Sequence, residues 1–149
     1  MTEPRTLRIL VVANHADATP GLLDAIRRRA ENGDVQFRVI VLNPARAELH
    51  LLHPERHDKA AEAEQALLKA MPELERAAGG PVIGSVSVRH DPMDAVEETL
   101  FSEPIDEIML SVPEHGLATR LHQDLPRRLH HLGFPVTMVE HRAGPSPKS

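Results

Sequence analysis

The stretch Leu7–Ala13 reads Leu-Arg-Ile-Leu-Val-Val-Ala, an almost unbroken apolar run. A strand with one face in water alternates apolar and polar residues. A strand that is apolar on both faces must be covered on both. That is the situation of a central strand in a parallel sheet, whose neighbours are reached through helical crossovers.

The rest of the chain supplies such crossovers. Thr19-Pro20 is a helix start, a hydroxyl N-cap with proline at the first helical position. Leu22, Leu23, Ile26 and Ala30 form the buried stripe of this helix, Arg27, Arg28 and Arg29 point mostly outward, and Asn32-Gly33 closes it. Val35–Leu42 is a second strand, with Phe37, Val39 and Val41 alternating against Gln36, Arg38 and Ile40. Asp58 caps a long helix to Ala78, which Pro72 should kink or split, and Gly79-Gly80-Pro81 stops it. Val82–Val88 is a third strand. Asp91-Pro92 repeats the cap-then-proline start, and Met93, Val96 and Leu100 line the helix that follows. Ile108–Val112 is a fourth strand. Leu117, Leu121, Leu125, Leu129 and Leu132 then recur at helical spacing, so one leucine face can lie on the sheet. Gly133 ends that helix, Pro135 blocks its continuation, and Val136–Val139 is a last β-branched run. Strands alternating with helices along the whole chain predict an open parallel α/β sheet of about five strands with helices on both faces.

Length and composition bound the rest. A chain of 149 residues is read as one domain over residues 7–141 between tails at 1–6 and 142–149. With no cysteine, thiolate chemistry and thiolate metal sites are excluded. A net charge of −5, with no Trp or Tyr, argues against nucleic-acid partners, which call for clustered cations and stacking rings. No apolar run approaches the ~20 residues of a membrane span, and the N-terminus carries no signal-peptide pattern, so a cytoplasmic protein without a membrane partner is expected. Asp91 to Glu107 holds acids and no base, while Arg120, Arg127 and Arg128 make the next helix basic; both read first as solvated helix faces. His50, His53 and His57 invite a metal reading, but Pro54 interrupts their spacing and no partner has zinc-site spacing, so no metal is expected.

Several segments, taken in order, resemble the universal stress protein superfamily over nearly the whole chain. These are the first strand, loop and helix from Arg8 to Ala30, and the long second helix after a variable segment. They continue with His-Asp-Pro-Met-Asp-Ala-Val ending at Val96, Asp-Glu-Ile-Met-Leu-Ser at Asp106–Ser111, and Phe-Pro-Val-Thr-Met-Val at Phe134–Val139. The resemblance implies the strand order 3-2-1-4-5 of universal stress protein and adenine nucleotide alpha hydrolase-like folds. It also implies a homodimer through the last strand, Val136–Val139. Many members bind ATP through Gly-x-x-Gly, a spacer and Gly-Ser/Thr, so an adenine nucleotide is the one cofactor class implied. This chain departs from that motif. Val112–Leu117 holds the single glycine Gly116, and Asn14 stands where the family has an acidic residue. Asp124 at a helix start would satisfy the N–H groups itself and repel a phosphate, with Arg120 and Arg127 offsetting this in part. Conventional ATP binding is therefore not the expectation.

In an open α/β sheet, ligands bind beyond the carboxyl ends of the strands where the strand order reverses. With the implied order this lies between strands one and four, and it collects Asn14, His15 and Asp17 from one loop and Ser111, Glu114, His115, Gly116 and Arg120 from the other. Asn43, His90 and Asp91 follow the neighbouring strands. Asn14 can bond a base or ribose, or form an Asx turn. His15 and His115 can titrate near neutrality or sit exposed in loops. Ser111 lacks the Gly-x-Ser-x-Gly surroundings of a nucleophile. The resulting expectation is a non-catalytic small-ligand or regulatory domain. The alternatives are a protein-interaction module with a vestigial nucleotide site, and a small hydrolase using His15 or His115.

Overall fold

The structure, a computed structural model, describes residues 6–13, 19–42, 55–87, 92–111 and 126–139, without the side chains of residues 55–60 and 92. The elements run β1 (Leu7–Ala13), α1 (Pro20–Glu31), β2 (Val35–Val41), α2 (Glu55–Ala78), β3 (Val82–Val86), α3 (Pro92–Ser102), β4 (Glu107–Ser111) and β5 (Val136–Met138). A further helical segment covers residues 126–131. All strand pairs are parallel, in the order β3-β2-β1-β4-β5. This is the open α/β sheet that the apolar first strand demands and the order that the resemblance implies.

The two faces of β1 feed two separate cores. Ile9 and Val11, with Phe37, Val39 and Val41, pack against Leu22 and Ile26 of α1 and Leu67, Ala70 and Leu74 of α2. Leu10 and Val12, with Ile40, Ile108 and Leu110, pack against Met93, Ala95 and Val96 of α3 and against Leu129. Period-two alternation thus assigns α1 and α2 to one face, and α3 and the segment 126–131 to the other. Gly84 pairs with Val39 on the α1–α2 side, and its missing side chain lets α2 approach. A Cβ there would meet Met71 Sδ at 3.1 Å and Leu67 Cδ2 at 3.3 Å.

Local chemistry sets the helix ends. Thr19 is the N-cap of α1, and its Oγ1 accepts from Leu22 N–H at 3.3 Å. The segment 126–131 closes in a Schellman turn, with Gly133 N–H donating to His130 O at 2.9 Å and Phe134 N–H to Leu129 O at 3.4 Å. Gly133 carries φ +93°, the left-handed conformation this turn needs.

Four local expectations are corrected. Helix α2 starts at Glu55, so Asp58 lies inside it and is not its cap. Pro72 does not split α2. It sits on the exposed side, and the carbonyl that loses its partner belongs to Leu68, an exposed residue that can turn it to water. Leu132 is 51% exposed because the chain has already left the helix there, so of the two described members of that leucine stripe, Leu129 and Leu132, Leu129 is the buried one; Leu117, Leu121 and Leu125 lie outside the described residues. Arg29 is not outward: its side chain is 22% exposed and paired with Glu107.

Candidate functional site

The strands end level with one another. Ala13 pairs with Val41 on one side and Ser111 on the other, and Val41 pairs with Val86. Leu42 N–H still donates to Ala13 O at 2.8 Å, and Ser87 N–H to Val41 O at 2.8 Å, so the row holds to its last residues. Crossovers from β1 pack on the α1 face, whereas Leu129, after β4, packs on the opposite one. The strand order therefore reverses between Ala13 and Ser111, where the chain diverges to opposite faces.

Of the residues expected at this site, Ser111 is described. It ends β4, is 3% exposed and lies beside Ala13. A hydroxyl so enclosed is not held out at a strand–helix elbow, as an attacking serine would be. Asn14, His15, Asp17, Asn43, His90, Asp91, Glu114, His115, Gly116, Arg120 and Asp124 lie outside the described residues, as do His50 and His53. Each follows a strand whose end is placed, except Asp124 and the two variable-segment histidines. Among the described residues, no three His, Asp or Glu converge as metal ligands.

A second polar convergence lies at the opposite, amino-terminal end of the strands. Arg38 on β2 donates through Nε to Glu103 Oε2 at 2.9 Å, through a terminal nitrogen to Ser85 Oγ at 3.0 Å, and through the other to Val39 O at 2.9 Å. Arg8 on β1 approaches the other Glu103 oxygen at 3.9 Å. These groups border a groove of about 460 Å³, lined also by Asp34, Gln36 and Ile83. Beside it, Asp106 clasps the backbone of β1: its Oδ2 accepts from Arg8 N–H at 2.9 Å while its own N–H donates to Arg8 O at 2.8 Å. Glu103, Asp106 and Glu107 are thus partners of β1, β2 and α1 and not simply a solvated acidic face.

Sequence reasoning missed this convergence, although it left a signal. Arg8 and Arg38 are the charged residues within β1 and β2, and a charge on a covered strand needs a partner. The groove carries two guanidinium groups against the carboxylates of Asp34 and Glu103, so its charges balance and Arg38 is held by three acceptors. That is a structural brace with a groove beside it.

No family model matches the sequence, and no curated protein matches it. Solved structures do match. The structure of a universal stress protein from Archaeoglobus fulgidus superposes with a TM-score of 0.58 at 17% identity, covering 90% of this chain and 93% of that one. A hypothetical protein, PH0823, superposes with a TM-score of 0.54 at 16% identity, covering 91% and 96%. Both span nearly their full length on this chain, and the sheet order agrees with the resemblance read from the sequence. The chain has the universal stress protein fold.

In this universal stress protein fold the row Val86–Val41–Ala13–Ser111 is the floor of the switch point, and the Arg8–Arg38–Glu103 brace lies towards the amino-terminal ends of the same strands. No helix among the described residues is long and apolar enough to cross a membrane.

Proposed function

We propose that the protein is a non-catalytic small-ligand or regulatory domain, with its ligand at the switch point between β1 and β4. The observation that carries this reading is the register of Ala13 with Ser111 at the point of strand-order reversal. The residues that follow the strand ends there, Asn14, His15, Asn43, His90, Glu114, His115, Gly116 and Arg120, are the proposed ligand-binding set together with Ser111. They are rich in amide, imidazole and guanidinium groups, which suits a polar or anionic small molecule. The single glycine at Gly116 and the acidic Asp124 disfavour the close phosphate cradle of conventional ATP binding. The same reading takes the protein as cytoplasmic, and as a homodimer through β5 and Val139.

Titration with AMP, ATP and small anionic metabolites, followed by backbone amide chemical shifts, tests the reading. Shifts gathered at Ala13, Leu42 and Ser111, with ATP left intact, are expected. Shifts confined to the Arg8–Arg38 groove, or hydrolysis of ATP, would overturn it.

A second reading, an interaction module, is favoured by Phe101, which stands 89% exposed on α3. A solvent-facing phenyl ring on a charged helix is a surface that a partner protein can cover.

A further inference from the structure

Two oppositely charged surfaces lie on the same face of the sheet. On α3, Met93, Val96 and Thr99 turn inward, while Asp94 and Phe101 are exposed and Glu97 is half-buried. On the segment 126–131, Leu129 turns inward and Arg127, Arg128, His130 and His131 are exposed, with the exposed Leu132 just beyond. Met93, Val96 and Leu129 share one core, so both surfaces look out from the same side. No ion pair joins Asp94 or Glu97 to Arg127 or Arg128 within one copy.

The spacing also matches. Glu97 and Phe101 are an i, i+4 pair on α3, and Arg128 and Leu132 are an i, i+4 pair tied by Leu132 N–H donating to Arg128 O at 3.2 Å. Each helix thus presents a charge one turn before an exposed apolar residue, acidic on one and basic on the other. Both helices are crossovers between parallel strands and so run in the same direction. A two-fold axis parallel to them, in the plane of contact, would set α3 of each copy over 126–131 of the other. Acid would then face base and Phe101 would lie level with Leu132, twice over.

We infer that this face binds a second copy of the chain, through an isologous, salt-sensitive interface separate from the β5 edge. Exposed Phe101 and Leu132 supply its apolar centre, and the charges set its register and exclude like-charged pairings. The inference does not rest on the ligand reading but on the exposed faces of the two helices alone.

Complementary charge reversals test it, on the full chain in a Met138→Pro background that removes an outward N–H from the β5 edge. One variant carries Asp94→Arg with Glu97→Arg, the other Arg127→Glu with Arg128→Glu. These side chains lie at the surface, and circular dichroism checks that each variant folds. Sedimentation velocity should show the parent self-associating at low salt. Each reversed variant should associate at least about tenfold more weakly, because like charges then face each other. A one-to-one mixture should recover the association, because both contacts of a mixed dimer then join opposite charges. Raising salt from about 0.1 M to about 1 M should weaken the parent, as the screening length falls from about 10 Å to about 3 Å. Phe101→Ala should weaken it also. A parent that stays monomeric at low salt, or a mixture no heavier than its components, would overturn the inference. So would binding of a basic amphipathic model peptide to α3 without self-association, which would reassign the face to a foreign cationic partner.

Discussion

Arg29, in the last turn of α1, grips Glu107, the first residue of β4, through two parallel hydrogen bonds: Nε to Oε1 at 3.0 Å and a terminal nitrogen to Oε2 at 2.5 Å. Both side chains are 22% exposed. The fork ties the end of the first crossover to a strand that enters much later in the chain. A paired, half-buried guanidinium is worth more than a surface ion pair. Arg29→Ala should therefore lose about 1–2 kcal/mol in urea unfolding, whereas Arg27→Ala, at an exposed i, i+3 pair with Asp24, should lose about 0.5 kcal/mol or less. Equal losses would remove the fork from the account.

The same pair carries a pH signature. The Arg29 pKa lies above its ordinary value, chiefly through the hydrogen bond to Glu107, with desolvation opposing and the Glu107 charge adding. A raised pKa gives stability that is complete below the unfolded value and lost only as pH climbs through the folded one. Both values lie far into alkali. The stability gap between wild type and Arg29→Ala should thus stay level from about pH 6 to about pH 9. A gap that closes over this range, followed by urea midpoints, would contradict the assignment.

Gly133→Ala should destabilise by roughly 1–2 kcal/mol, although a Cβ there meets nothing within 4 Å. The cost is conformational, since φ is +93°. A thermal melt unchanged from wild type would show that the chain leaves 126–131 by another turn.

Leu129→Ala removes a fully buried side chain from the core of Leu10, Ile108 and Leu110, and should cost about 2–5 kcal/mol. Leu132→Ala, at an exposed residue, should cost about 0.5 kcal/mol or less. The contrast, read from denaturation midpoints, tests whether one leucine alone anchors the segment after β4 within the described residues.

Much of this was legible before any coordinates. The apolar runs at Leu7–Ala13 and Ile108–Leu110 announce covered strands, and Thr19-Pro20 and Gly133 carry their own cap chemistry. What stayed hidden is long-range. Arg29 and Glu107, or Arg38 and Glu103, become neighbours only once the strand order is fixed, and no local pattern encodes that meeting. The start of α2 was hidden for the opposite reason: Asp58 is a good cap by type, yet the helix begins before it. At the switch point, the order of the motifs located the row from Ala13 to Ser111. The residues proposed to carry the chemistry there follow the strand ends, and no strand or helix period dictates their roles.

Thr137 is exposed on β5, whose outer edge is unpaired among the described strands. Met138→Pro should abolish pairing between copies along this edge: Pro135 O and Val139 N–H bond to β4, so the alternating backbone turns the Met138 N–H to the outer side, where proline removes a donor. Light scattering of the variant at high salt, where the charged helix faces are screened, should give a monomer and the wild type a dimer. A wild-type monomer under those conditions would refute the β5 interface.

The ultraviolet spectrum of freshly purified protein tests the central claim most directly. The chain has no Trp or Tyr and only three Phe, so it is nearly transparent where adenine absorbs. The account predicts a spectrum of phenylalanine alone, because the proposed reading gives the residues after β4, with the single glycine Gly116, no conventional phosphate cradle. An adenine band that follows the protein through gel filtration would contradict it and restore a nucleotide to the switch point.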